Sequence, residues 1–148
     1  METLRRDTPE AEAFLSYIQQ GSPFSRTNGV TIRVTGEGTA EGEVRIRPEH
    51  QNMFGGLHGG VYCTLADCTG GQAAMSACGR ACSTLESSMY FLAPFKGSVL
   101  RAEGNVIHAG KRTVVSNVDL FSEDGTLCAQ ATIVFCPRGG APWSIPKR

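Results

Sequence analysis

The chain has 148 residues, with 14 basic and 14 acidic side chains and a formal net charge of +0. That length fits one domain with a sizeable core, and the charge balance argues against nucleic acid as a main partner, because phosphate binding wants a basic surface. No apolar run is long enough to span a bilayer, and the opening METLRRDTPEAEAF lacks the apolar stretch of a signal peptide, so a soluble cytoplasmic protein is expected.

The first predicted element is a short helix. Thr8 reads as its N-cap, Pro9 as the first helical position, and Glu10 and Glu12 suit the first turn. Phe14, Leu15 and Ile18 form one apolar stripe, and Gly21 followed by Pro23 ends the helix. Residues 1–28 read as a helical leader packed on the domain like a lid, without chemistry of its own. Alternating segments follow. Val30, Ile32 and Val34 share a face; Ala40, Gly42, Val44 and Ile46 oppose Glu41, Glu43, Arg45 and Arg47. Period two with one polar face means half-buried antiparallel strands, joined here by the Gly36-Glu37-Gly38 turn.

The stretch from Asn52 to Gly79, NMFGGLHGGVYCTLADCTGGQAAMSACG, organises the rest. A glycine-rich turn holding His58 opens a long helix whose only side chain expected to carry charge is Asp67. A helix apolar nearly all round is a buried helix, and an acid buried in it needs a partner or a job. Gly70 and Gly71 each cost ~1 kcal/mol against Ala, so they predict the close approach of another backbone. Four strands then follow: Ser83 to Leu92, Val99 to His108, one centred on Val114 to Leu120, and one from Leu127 to Phe135. The turns between them are Pro94 to Gly97, Ala109-Gly110-Lys111 and Asp124-Gly125. The order is helix, two strands, long helix, four strands: a two-layer α+β fold, with the long helix filling a curved antiparallel sheet in one domain spanning residues 1–148. The six cysteines include no C-x-x-C pair and read as reduced, packed thiols. His58, Cys63 and Cys68 scatter round a helix axis, so no metal site and no cofactor are expected.

Taken singly, each candidate residue has an ordinary structural reading. Asp67 suits a hydrogen-bonded acid, His58 a cap, Gly59-Gly60 tight packing, and Lys111-Arg112 a solvated turn. Together they resemble a known pattern. Asn52, Gly55, His58-Gly59-Gly60 and Asp67, then Thr84 and Tyr90-Phe91-Leu92-Ala93-Pro94, are similar to the hotdog fold and more closely to the PaaI-type acyl-CoA thioesterases. Gly110-Lys111-Arg112-Thr113 and the Asp119-to-Gln130 hairpin extend the resemblance over roughly residues 28 to 138. The resemblance implies Asp67 as general base or nucleophile, the Gly59 N–H as oxyanion donor and Thr84 orienting water. It also places Asn52 and His58 at the thioester end. Gly60, Phe54, Met89 and Tyr90 would then line the substrate, and Lys111 and Arg112 would meet the CoA phosphates. The departures, Glu86 and Ser88 in the strand after the helix and the loose Gly70-Gly71 pair within the helix, bear on acyl preference more than on the reaction.

One step is independent of the resemblance. Residues 59 and 67 lie about 12 Å apart along a helix rising ~1.5 Å per residue. If both serve one reaction, a second chain must bring its helix alongside, so the expected protein is at least a homodimer; assembly of that dimer into a homotetramer is a separate expectation. The expected activity is hydrolysis of a small or aromatic acyl-CoA. A non-catalytic, acyl-CoA-binding regulator is the alternative; a leader too short for a DNA-binding segment weighs against it, as does Asp67. A hydratase would need a differently placed His and acid pair, which the sequence lacks.

Overall fold

The structure, a computed structural model, describes residues 4–146; the first three residues of the leader and the last two of the chain lie outside it. The elements run α1 (Pro9–Gln19), α2 (Pro23–Thr27), β1 (Val30–Gly36), β2 (Thr39–Arg45), a single 3-10 turn at Pro48–His50, α3 (Gly59–Cys78), β3 (Cys82–Phe91), β4 (Val99–Ala109), β5 (Val114–Phe121) and β6 (Leu127–Pro137). The six strands form one antiparallel sheet in the order β1-β2-β4-β5-β6-β3. This is the expected α+β hotdog arrangement. Strand β3 follows the helix in sequence, yet it pairs only with β6, the last strand, and so forms one edge of the sheet.

Alternation along the strands decides the two faces. Val44, Leu100, Ala102, Val114, Val118, Leu120, Ala129, Ile133 and Phe135 point inward and are essentially buried, packed with Tyr62, Leu65, Ala66 and Ala74 of α3. The helix sits close to the sheet because the sheet gives up side chains opposite Thr69. A Cβ on Gly104 would lie 3.3 Å from the Thr69 carbonyl oxygen, and one on Gly42 would collide with the Thr69 hydroxyl. The close backbone approach is therefore made by glycines of the sheet. Gly70 and Gly71, which predicted a backbone at the helix, meet side chains instead. Added Cβ atoms there would lie 3.1 Å from Val118 and 3.4 Å from the Phe135 ring.

Thr8 caps α1 by accepting from the Ala11 N–H, and Pro9 opens it, as the sequence predicts. Gly21 ends that helix, but Pro23 opens a second one. The Ser22 hydroxyl accepts from the Ser25 N–H while the Ser25 hydroxyl accepts from the Ser22 N–H, a reciprocal cap that nucleates five residues of helix. A second apolar cluster joins the two ends of the chain. Phe14 and Ile18 of α1 pack with Trp143 of the C-terminal tail, the Phe14 and Trp143 rings meet edge to face at 5.8 Å, and the Arg6 guanidinium lies over the Trp143 ring.

Candidate active site

The glycine-rich loop before α3 is shaped by Asn52, whose Oδ1 accepts from the N–H groups of Phe54 (2.9 Å) and Gly56 (3.1 Å). His58 then caps the helix. Its Nδ1 accepts from the Gly60 N–H at 2.9 Å, and its carbonyl accepts from the Val61 N–H at 3.0 Å. The Gly60 and Val61 N–H groups are thus taken up by His58, and among the described residues no acceptor is paired with the Gly59 N–H at the head of the helix. It stands at the positive end of a 20-residue helix, where a developing negative charge is favoured. A hollow of about 450 Å³ opens beside it, walled by Tyr62, Phe91 and Pro94. Tyr62 and Phe91 stack edge to face at 5.5 Å, and the Phe91 ring edge lies against the Gly59 α-carbon.

Two turns further along α3, Asp67 occupies a different cleft. The Thr84 hydroxyl of β3 donates to Asp67 Oδ1 at 2.7 Å. The expectation of a fully buried acid is corrected here. Asp67 is half-buried and Thr84 exposed, because α3 turns one narrow face, with Cys63 and Asp67 on it, away from the sheet. The partner it was argued to need is Thr84. The cleft measures about 610 Å³, and its far wall is the leader: Tyr17, Ile18, Gly21 and Arg26 face Asp67, Thr84 and Phe135 across it. The Arg26 guanidinium is held by the carbonyls of Gln20 and Gly21, and the buried Gln72 amide donates to the Ile18 carbonyl, tying α1 to α3. The sequence reading gave the leader no part in the chemistry; the structure makes it a wall of the acid's cleft.

The remaining candidates divide. Met89 faces inward against the core, in register with Ala131. Tyr90 does not line an inward pocket. It pairs with Gln130, whose side chain lies on the outer face, and it stands with Asp119 and Thr132 there. A bulge at Leu85 breaks the alternation of β3, and the inward aromatic is Phe91, the neighbour that sequence reasoning passed over. Phe54 is 88% exposed at the tip of the Asn52 loop and touches neither hollow of its own chain. Gly60 and His58 line a separate small hollow with His50 and Thr64. Lys111 and Arg112 are both exposed in the turn between β4 and β5. That turn lies at the Thr84 end of the sheet, since Val114 pairs with Phe135 and Phe135 with Thr84. Glu86 and Ser88 share the outer face of β3 and bond to each other at 2.7 Å. Among the described residues no three His, Cys, Asp or Glu side chains converge as a metal site, and no helix is long and apolar enough to cross a membrane.

Comparison with known proteins agrees with this architecture. The sequence pattern of the thioesterase superfamily matches residues 54–129, from the loop before α3 into β6. A protein of Halobacterium salinarum named as a candidate esterase is 29% identical over 145 residues, covering 90% of this chain and 92% of its own. Another so named, from Saccharolobus solfataricus, is 31% identical over 96 residues, covering 64% of this chain and 69% of its own. The solved structure of the PaaI protein from the phenylacetic acid degradation operon of E. coli superposes with a TM-score of 0.80 at 25% identity, covering 88% of this chain and 95% of that one. The chain belongs to the thioesterase superfamily, as a hotdog-fold thioester hydrolase of the PaaI type.

Proposed function

We propose that the protein hydrolyses small or aromatic acyl-CoA thioesters at sites shared between two subunits. Asp67 of one subunit and the Gly59 N–H of the other would act on the same carbonyl. The observation that carries this reading is the separation of the two groups. The unpaired Gly59 N–H and Asp67 lie on one helix, in different hollows, and Thr84 of β3 donates to the acid. Each end holds half of what thioester hydrolysis needs: an activated nucleophile, and donors for the oxyanion that develops. An antiparallel second helix brings the acid of one chain to the helix start of the other, twice, by the two-fold symmetry of such a dimer.

In this arrangement the thioester carbonyl oxygen accepts from the Gly59 N–H, while Phe91 and Tyr62 pack beside it. Asp67 takes a proton from water as the water oxygen bonds to the carbonyl carbon. Collapse of the tetrahedral intermediate breaks the C–S bond, and the departing thiolate takes the proton that Asp67 holds, leaving a carboxylic acid, free CoA and the regenerated Asp67 carboxylate. Thr84, donating to one carboxylate oxygen, fixes the orientation of Asp67 so that the other oxygen faces the water. The same geometry allows Asp67 itself to attack and form an anhydride that water then opens. Running one turnover in ¹⁸O water detects the anhydride route when water opens it at the Asp67 carbonyl carbon, since only then does the label enter Asp67. Lys111 and Arg112, at the Thr84 end of the sheet, suit the phosphates of the CoA moiety.

The test uses two inactive variants. Asp67→Asn removes the base, and Gly59→Pro removes the oxyanion N–H. Proline suits the first helical position, and His58 already has the extended backbone (φ −67°, ψ 134°) that a residue before proline requires. A mixed dimer carries one site with both defects and one with neither. Co-refolding equal amounts should restore about a quarter of the wild-type activity, on random pairing of two-fold dimers. If both variants fold by circular dichroism and exchange subunits, yet no activity returns, the shared site is refuted.

A further inference from the structure

The six cysteines are all free, and two of them are brought together by the turn that follows α3. Cys78 is the last residue of the helix and Cys82 the first of β3. Between them Gly79 takes a left-handed conformation (φ 64°) that reverses the chain, a position where a side chain would be strained and would also press on Trp143. The result is a pair of sulfurs 3.6 Å apart, both also against the Arg80 carbonyl. A disulfide needs about 2.05 Å, so closure asks the two sulfurs to approach by about 1.5 Å. The turn is held from outside: the Gly79 carbonyl accepts from the Trp143 N–H, and that of Ala81 from the Arg138 N–H.

We propose that Cys78 and Cys82 are an oxidative modification site, a dithiol that peroxides convert to an intramolecular disulfide, with Cys78 as the attacking sulfur. The two sulfurs share one hydrogen bond, and that contact favours a thiolate within the pair: it lowers Cys78 against its burial and pushes Cys82 up. The other thiols differ. Cys63 is more exposed, but burial raises it, and burial beside Asp67 pushes Cys68 up to about 11. Attack on a peroxide needs both thiolate character and access, and Cys78 is a half-buried thiol with a second sulfur 3.6 Å away to favour its thiolate.

The Cys78 thiolate attacks one oxygen of the peroxide and the O–O bond breaks. Hydroxide leaves, takes a proton from solvent, and Cys78 becomes a sulfenic acid. Cys82 then attacks the Cys78 sulfur. The S–O bond breaks, and the hydroxide leaves as water with the proton Cys82 gives up. The dithiol has lost two electrons to one peroxide. The link would tie the end of α3 to the start of β3 and fix Cys82, which lines the same cleft as Asp67 two residues before Thr84.

The experiment reads covalent chemistry and does not depend on the hydrolase reading. The full reduced chain is exposed to hydrogen peroxide at neutral pH, quenched with iodoacetamide and mapped by mass spectrometry. A Cys78–Cys82 link that accumulates before any oxidation of Cys63 supports the site. Alkylated Cys78 and Cys82 after Cys63 has oxidised, or a Cys82–Cys136 link, overturns it. The order of attack is read with dimedone, which traps sulfenic acids. Cys82→Ser should leave Cys78 labelled, because a serine hydroxyl still donates to the thiolate, and Cys78→Ser should leave Cys82 unlabelled. Equal labelling in the two variants would refute Cys78 as the attacking sulfur.

Discussion

The start of α3 and its middle make an instructive contrast. At the start, the backbone is the chemistry: a cap, two glycines and one unpaired N–H, beside an aromatic hollow that holds no acid. In the middle, the side chains are the chemistry: a carboxylate held by a hydroxyl, in a cleft where every helix N–H is spent inside the helix. One helix cannot offer both at the same point, because its free donors exist only in its first turn. On the proposed mechanism, a single chain thus carries the two halves of a site at separate points.

The largest effect that could break this contrast is at the acid. Asp67→Asn should fold and lose about 10²–10⁴-fold in kcat, the range for general-base work, measured by thiol release from acyl-CoA. Near-normal turnover in a folded variant would make Asp67 a structural acid and leave the helix start to work alone. Thr84→Ala comes next. A hydrogen bond to a charged group is worth about 1.5–3 kcal/mol, so kcat should fall about 10- to 100-fold with KM nearly unchanged. A rise in KM alone would assign Thr84 to substrate binding.

Smaller effects sharpen the boundary of the site. Replacing Lys111 and Arg112 together by Ala should raise KM several-fold for CoA thioesters and leave short pantetheine thioesters unaffected, as for exposed charges meeting phosphate. Equal loss for both substrates would remove the pair from the phosphates. Tyr90→Ala should change kcat and KM less than about twofold, because its side chain stands on the outer face of the sheet. A large loss there would mean that the outer face takes part in catalysis.

How much of this was legible in the sequence depended on how regular the local signal was. The α3 boundaries were written in His58-Gly59-Gly60 and Gly79, and the central strands in a strict two-residue alternation, since both faces of those strands have fixed surroundings. Strand β3 resisted because it is an edge with a bulge at Leu85. Its exposed Leu85, Tyr90 and Phe91 carry no polar-apolar contrast to read, and one extra residue exchanges the faces of all that follow. Met89 and Tyr90, adjacent in the strand, both read as lining the substrate, and the structure turns only Met89 inward, with Phe91 beside it. The contribution of the leader was hidden for a different reason. Tyr17 and Arg26 reach the cleft through a contact between residues distant in sequence, tied by Gln72 to Ile18, and no local pattern encodes it.

The position of β3 at the edge also sets a timetable. The strand that carries Thr84 leaves the ribosome directly after α3, but its only neighbour in the sheet is β6, near the end of the chain. Until β4 and β5 have been made and β6 emerges, β3 has both of its edges unpaired and Leu85, Tyr90 and Phe91 uncovered. Pairing across such a long loop is slow to form. A nascent chain stalled before Leu127 would thus hold Asp67 on a helix still lacking β6, while the Thr84 that donates to it waits on a bare strand. That interval is when this protein would be most prone to stick to other copies of itself.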